Sequence, residues 1–294
     1  MNLLNKALFG VVIGTLAFSL VGCSGKTQNE DLQKAQESAA AANSYQANLT
    51  LGFGFGSEEE QSIAQSISQI SYVAEPMTKR ILSQATDGQV QYDELDVYIE
   101  QNNDAETWYT QYDGQWVKLE TNFEYMSDVF GLYNVCENAA VFLENSADMK
   151  EVGKEDVNGV AAIRYDGVIS KENVFQAIEE TGALQYLGLG TLDPTYFKNA
   201  PDAPFSIWIE ETEKTPVRYT VDFTDVLQSS LDVLYEAYSE QDPEAELQRL
   251  VVAQYAIDAT IENINQVEPI QIPEEVKNAV PIEQIQTGSE PAAE

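Results

Sequence analysis

Residues 107–120 read TWYTQYDGQWVKLE. Two arms rich in aromatic residues flank Asp113-Gly114, the residue pair that a tight primed turn prefers. This is the clearest hairpin in the chain, and a hairpin of this kind is antiparallel. The segments before it have the same character. In YDELDVYIEQ, Leu95, Val97 and Ile99 face one way. TKRILSQATDG ends in an Asp87-Gly88 turn, and IAQSISQISYVAEP ends at Pro76. In YQANLTLGFGF, Leu49, Leu51, Phe53 and Phe55 lie on one side of a strand. The glycines of GFGFG (52–56) follow this strand pattern and open no helix, so they mark a strand end or a bulge rather than a phosphate loop.

Helices frame these strands. Asn29 can cap a helix over NEDLQKAQESAAAANS whose apolar face is Leu32, Ala35, Ala39 and Ala42. From Phe123 to Leu143, apolar residues including Met126, Val129, Phe130, Tyr133, Cys136 and Ala140 recur every three or four positions, as one helix or two. A second hairpin turns at Asn158-Gly159, and Ser170 can cap a helix over KENVFQAIEETGALQYL. GLGTLDPTYFKNAPDAP is a loop. A third hairpin alternates Phe205, Ile207 and Ile209 on one arm and Val217, Tyr219, Val221 and Phe223 on the other. A helix from about Thr224 follows, and Asp242-Pro243 has the form of a cap and first residue of a short helical piece. Residues 251–261 alternate as a long strand, and the chain then runs extended and briefly helical. The expected class is α+β.

The amino-terminal segment is an address. Lys6 closes a short positive start, and Ala7 to Gly22 carries no charge. That length and those flanks suit a secretory signal better than a membrane span. The run ends in Leu20-Val21-Gly22-Cys23. This resembles the lipobox of bacterial lipoproteins, which implies a diacylated Cys23 that becomes residue one after cleavage of residues 1–22. Two acyl chains hold a protein stably on a membrane. The expected division is a signal peptide (1–22), a lipidated tether (23–29), one domain (30–281) and a disordered acidic tail (282–294).

Composition excludes several function classes. With 15 basic and 49 acidic residues, the formal charge is −34. That disfavours nucleic acid and repels an anionic membrane surface, so the body is expected to stand off on its tether. There is no histidine, which excludes Ser-His-Asp and Cys-His catalysis and the usual zinc sites. No loop has the spacing of an EF-hand. Cys136 is the only cysteine besides Cys23, and its apolar neighbours mark it as a buried structural residue. No catalytic residue, metal site or cofactor is assigned. A pair of carboxylates acting on cell-wall polymer stays open as the enzymatic alternative.

The order of elements resembles the LolA/LppX-like superfamily of lipoprotein and lipid carriers, and within it a group of Gram-positive lipoproteins. Three features carry the resemblance: the lipobox followed by a helix and SYQANLTL, the hairpin KEDVNGVAAIRYDGVIS running into a helix, and NINQVEPIQIPEEVKNA. The resemblance implies a strongly curved antiparallel sheet, an unclosed half-barrel, with helices packed on its concave side. It implies a lipid-anchored protein on the outer face of the cell membrane whose partner is a lipid or another apolar or amphiphilic small molecule. Candidate residues for an apolar cavity are Phe53, Leu95, Val97, Trp108, Trp116, Met126, Phe130, Tyr133, Trp208 and Tyr219. The alternative is an envelope sensor that meets a protein partner, not identified by the sequence, through hairpin aromatics such as Tyr109, Tyr112 and Tyr133.

Overall fold

A computed structural model describes residues 29–102, 105–122, 130–190, 192–242 and 247–286. Cys23 with its lipobox, Met126, Val129, Pro243 and the last eight residues lie outside the described residues.

Helix α1 (Glu30–Ala40) begins where Asn29 accepts a hydrogen bond from the Asp31 N–H at 2.9 Å. Strands β1 (Ser44–Gly56), β2 (Gln61–Ala74), β3 (Met77–Thr86), β4 (Leu95–Asn102), β5 (Ala105–Tyr112) and β6 (Gln115–Asn122) follow as an antiparallel meander. At the β5–β6 turn Asp113 has φ 51° and Gly114 φ 74°, both positive as the primed turn requires. A 3-10 turn (Gly131–Tyr133) leads into α2 (Val135–Glu144). Strands β7 (Ser146–Val157) and β8 (Val160–Ile169) form the second hairpin. Next come α3 (Val174–Glu180), α4 (Ala183–Tyr186), β9 (Ala203–Glu210), β10 (Pro216–Asp222), α5 (Thr224–Gln241) and β11 (Val251–Glu262). The chain ends in α6 (Glu274–Lys277), β12 (Val280–Pro281) and α7 (Ile282–Gln286).

The twelve strands make one sheet in the order β12-β6-β5-β4-β3-β2-β1-β11-β10-β9-β8-β7. All pairings are antiparallel except β12 on β6. Among the described residues the sheet does not close on itself, because its edge strands β12 and β7 are not paired with each other. It is the α+β open half-barrel expected from the sequence, with α1 and α2 packed on the concave side and α6 on the outer face. Both edges resist further pairing. Strand β12 is two residues long and ends in Pro281, while β7 carries register shifts, Gly153 and several charges.

One apolar cluster runs along the concave face. Phe142 of α2 meets Phe205, Tyr219 and Phe223 with ring centroids 5.5–6.1 Å apart. Ala35 and Ala39 are small enough to bring α1 against α2. GFGFG is the end of β1, and the register shift opposite Gly54 and Phe55 puts the extra residue, Ala253, on β11.

Two local expectations change. The helix after the second hairpin starts at Val174, not after Ser170, and breaks at Thr181-Gly182, where Gly182 takes φ 66°. The Ser170 carbonyl instead closes a turn onto the Asn173 N–H at 2.9 Å. The first residues assigned to the acidic tail form α7.

Because β1 and β11 are neighbours at the middle of the sheet, the two termini of the domain must be present together. A chain ending at Gln248 should show no cooperative thermal transition by circular dichroism. A chain ending at Glu268 loses the segment that covers the outer face and the two-residue edge strand β12, and should keep a cooperative transition at lower temperature.

Candidate functional site

Strand register sorts side chains onto the two faces. On β1 to β6 one row crosses the concave face: Tyr45, Tyr72, Lys79, Ile99, Trp108 and Leu119 are successive cross-strand partners. The next row holds Ala47, Ile70, Ile81 and Val97. The third holds Leu49, Ser68, Ser83 and Leu95. Ser66 and Ser68 both hydrogen-bond Ser83, at 3.0 and 2.8 Å, and the Tyr133 hydroxyl faces Ser68 and Ser83. Burial pushes the Tyr133 phenol up to about 12.

Along the first row lies a pocket of about 120 Å³. Met77, Ile99, Trp108, Phe130 and Tyr72 give it apolar walls, and Lys79, Glu106, Asn134 and Glu137 give it polar groups. Trp108 and Phe130 stack with centroids 4.4 Å apart. Lys79 points inward from β3 and is 8% exposed. It donates to the Asn134 side-chain oxygen, and its ammonium lies 5.6 Å from the centre of the Tyr72 ring. Burial pulls its amine down to about 8, against the attraction of Glu137 and Glu106. Glu106 is 6% exposed, and burial raises its carboxyl, although the Trp108 indole N–H donates to it at 3.0 Å. A larger depression of about 730 Å³ has a polar and acidic rim that includes Asn158, Glu210, Glu213 and Glu262. It lacks the aromatic floor of the first.

The cavity candidates divide by strand phase. Trp108 and Phe130 line the pocket, Tyr133 stacks on Phe130 at 5.7 Å, and Val97 lies in the adjoining row. Phe53 sits farther along β1 against Tyr186. Tyr219 is buried in the solid part of the core, and its hydroxyl has no partner among the described residues. Leu95 has the inward phase but is 42% exposed. Met126 lies outside the described residues. Trp116 and Trp208 are not brought to the concave side. Trp116 packs with Tyr98, Tyr109, Ile272, Val276 and Ala279 where the carboxy-terminal segment covers the outer face. Trp208 is held between Arg164 and Arg218, 5.0 and 4.7 Å from its ring, and donates to Glu155 at 2.6 Å. The alternation that turns Ile207 and Ile209 inward forces Trp208 out. Of the aromatics proposed for a protein partner, Tyr109 and Tyr133 are buried and Tyr112 is exposed.

Lys79 and Glu106 are absent from the sequence-based candidates. The available signal was phase: Lys79 shares the parity of Ile81, and Glu106 that of Trp108. Cys136 also lines the pocket, but burial pushes its thiol well up, which keeps it a thiol at neutral pH. Among the described residues no cluster of acidic or cysteine side chains could hold a metal, and no helix is long and apolar enough to cross a membrane.

No protein-family model matches the chain, and no curated protein matches it. Among solved structures it is similar to LprF from Mycobacterium bovis, with 14% identity, a TM-score of 0.44 and coverage of 83% of this chain and 95% of that one. It is also similar to the lipoprotein LppX from Mycobacterium tuberculosis, with 12% identity, a TM-score of 0.43 and coverage of 83% and 96%. The assignment of an unclosed half-barrel rests on the strand order and helices of this chain.

The buried ammonium has a measurable signature. Folding holds the Lys79 amine near 8 against 10.5 in the unfolded chain, a cost on the order of 3 kcal/mol at pH 7. Below pH 8 both states are protonated and the full cost applies. Between about pH 8 and 10.5 the folded state gives up the proton first, so native stability rises relative to a variant without the amine. Lys79→Met should therefore raise the denaturant midpoint at pH 7, and its advantage should shrink steadily from pH 8 to 10.5.

Proposed function

We propose that this chain is a lipid-anchored envelope protein that binds an apolar or amphiphilic ligand on the concave side of its half-barrel. The observation that carries this reading is the pocket between the Trp108–Phe130 stack and Lys79. Concave apolar walls with a few placed polar groups are the usual form of a small-molecule site. Its 120 Å³ is close in scale to an apolar cavity that takes a benzene-sized molecule. That suits one end of an amphiphile better than a whole lipid. The anchor follows from the lipobox: Cys23 would carry the acyl chains, and the acidic body would stand off the membrane on its tether. Lipid movement or envelope maintenance is the setting this arrangement serves. No covalent chemistry is assigned to the site.

Two measurements test the reading. In a bacterial host fed an alkyne fatty acid, the full chain should take up the label and Cys23→Ala should not. Native mass spectrometry of residues 24–294, which contain every described element, should show a co-purifying apolar ligand near one-to-one. A protein that stays unliganded after incubation with membrane lipid extract would remove the binding reading and leave the protein-partner alternative.

A further inference from the structure

Across β1 to β6, the charged side chains with the inward phase among the described residues are Lys79 and Glu106. An ion on the concave face of a sheet is costly unless something compensates it. Glu106 is compensated by the Trp108 N–H. Lys79 is compensated less completely. No carboxylate among the described residues lies within ion-pair distance of it, and its hydrogen bond to Asn134 uses one of three N–H groups. The basic side chains of the outer face behave differently. Arg80, Arg164 and Arg218 each sit on an aspartate at 2.6–3.0 Å. Among the described residues Lys150, Lys171, Lys198 and Lys277 also lack an ion pair, but they are exposed to water, whereas Lys79 is buried.

We propose that Lys79 receives the carboxylate of a small amphiphilic monocarboxylate, whose apolar body lies against Trp108, Phe130 and Met77. This rests on the ligand-binding reading above and specifies the head group. The residues around the ammonium fit one anionic charge. Asn134 takes one N–H and leaves two for a carboxylate. The volume of about 120 Å³ holds such a head and a short apolar body. Glu106 and Glu137 work against a second negative charge, which disfavours a phosphate dianion. Partly exposed Ala42, Met77 and Asn134 and exposed Glu137 mark the mouth, through which a longer chain would continue.

The test compares octanoate, 1-octanol and octylamine, which share a chain and differ in the head, by calorimetric titration at pH 7 into residues 24–294. Octanoate should bind about tenfold or more tighter than octanol, the scale of a hydrogen bond to a charged group. In Lys79→Met the two should bind within about twofold of each other, the preference for octanoate being lost. Lys79→Gln serves as a second neutral variant that keeps a donor, and it should likewise lose the preference. Equal binding of octanoate and octanol by the native protein would overturn the assignment of Lys79 and leave the apolar-ligand reading standing. So would a preference that survives both substitutions. Tighter octylamine would overturn it in favour of Glu106 and Glu137 as the groups that choose the head. Failure of all three to bind would remove the ligand-binding reading itself.

Discussion

The ladder between β1 and β11 is the constraint on which the molecule depends. It runs antiparallel from Gln46↔Glu262 to Gly56↔Val251, joining the first long strand of the chain to the last. Without it there would be two separate sheets, β1 to β6 with β12 and β7 to β11, each with an exposed edge. With it there is one curved surface broad enough for α1 and α2 to lie within. Pairing strands some 200 residues apart is entropically unfavourable until both halves exist. The β2-to-β6 meander and the hairpins of β7–β8 and β9–β10 are local and can form first. The central ladder then holds the halves together.

The two halves of that surface are not alike. One row can be followed across eight strands: Tyr165, Ile207, Tyr219, Ala259, Leu49, Ser68, Ser83 and Leu95. The first five are 2% exposed or less, and the last is 42% exposed. The row begins in a dry core sealed by Phe142, passes into hydroxyls that bond one another, and ends at solvent. A solid core needs no serines, because each buried hydroxyl must find a partner. The β8-to-β11 half is therefore the more tightly closed end of this row. The β2-to-β5 half is where polar groups and space are tolerated, and the pocket lies there.

Much of this was legible in sequence. Alternation located the long strands, and Asp113-Gly114 and Asn158-Gly159 located two hairpin turns, because those signals are local. The face on which an aromatic lies was legible as well, since phase follows from the neighbours. Trp208 between Ile207 and Ile209 must face outward, and Trp116 next to Val117 must oppose it. Treating tryptophan as cavity-lining regardless of phase overrode that. Other features carry no local signal. The adjacency of β1 and β11 is non-local, β12 is too short for periodicity, and the break at Gly182 depends on how α3 and α4 pack. Lys79 escaped notice because an isolated lysine in a strand ordinarily marks the wet face. Its phase pointed the other way.

That conflict between residue type and phase is itself informative. A chain free to vary could place a methionine or leucine at position 79 and gain stability at neutral pH, since neighbouring Ile81, Ile99 and Tyr72 would accept it. Conformational specificity is a weak reason to keep the amine, because the register is already fixed by ten consecutive β2–β3 pairs and by the hairpin turns. Solubility is no reason either, because the side chain is buried and the chain is already strongly acidic. A ligand of the proposed kind would supply a physical reason for an ammonium at this place. For the proposed ligand, the Trp108–Phe130 pair beside it would meet the apolar body and the ammonium would meet the charged end.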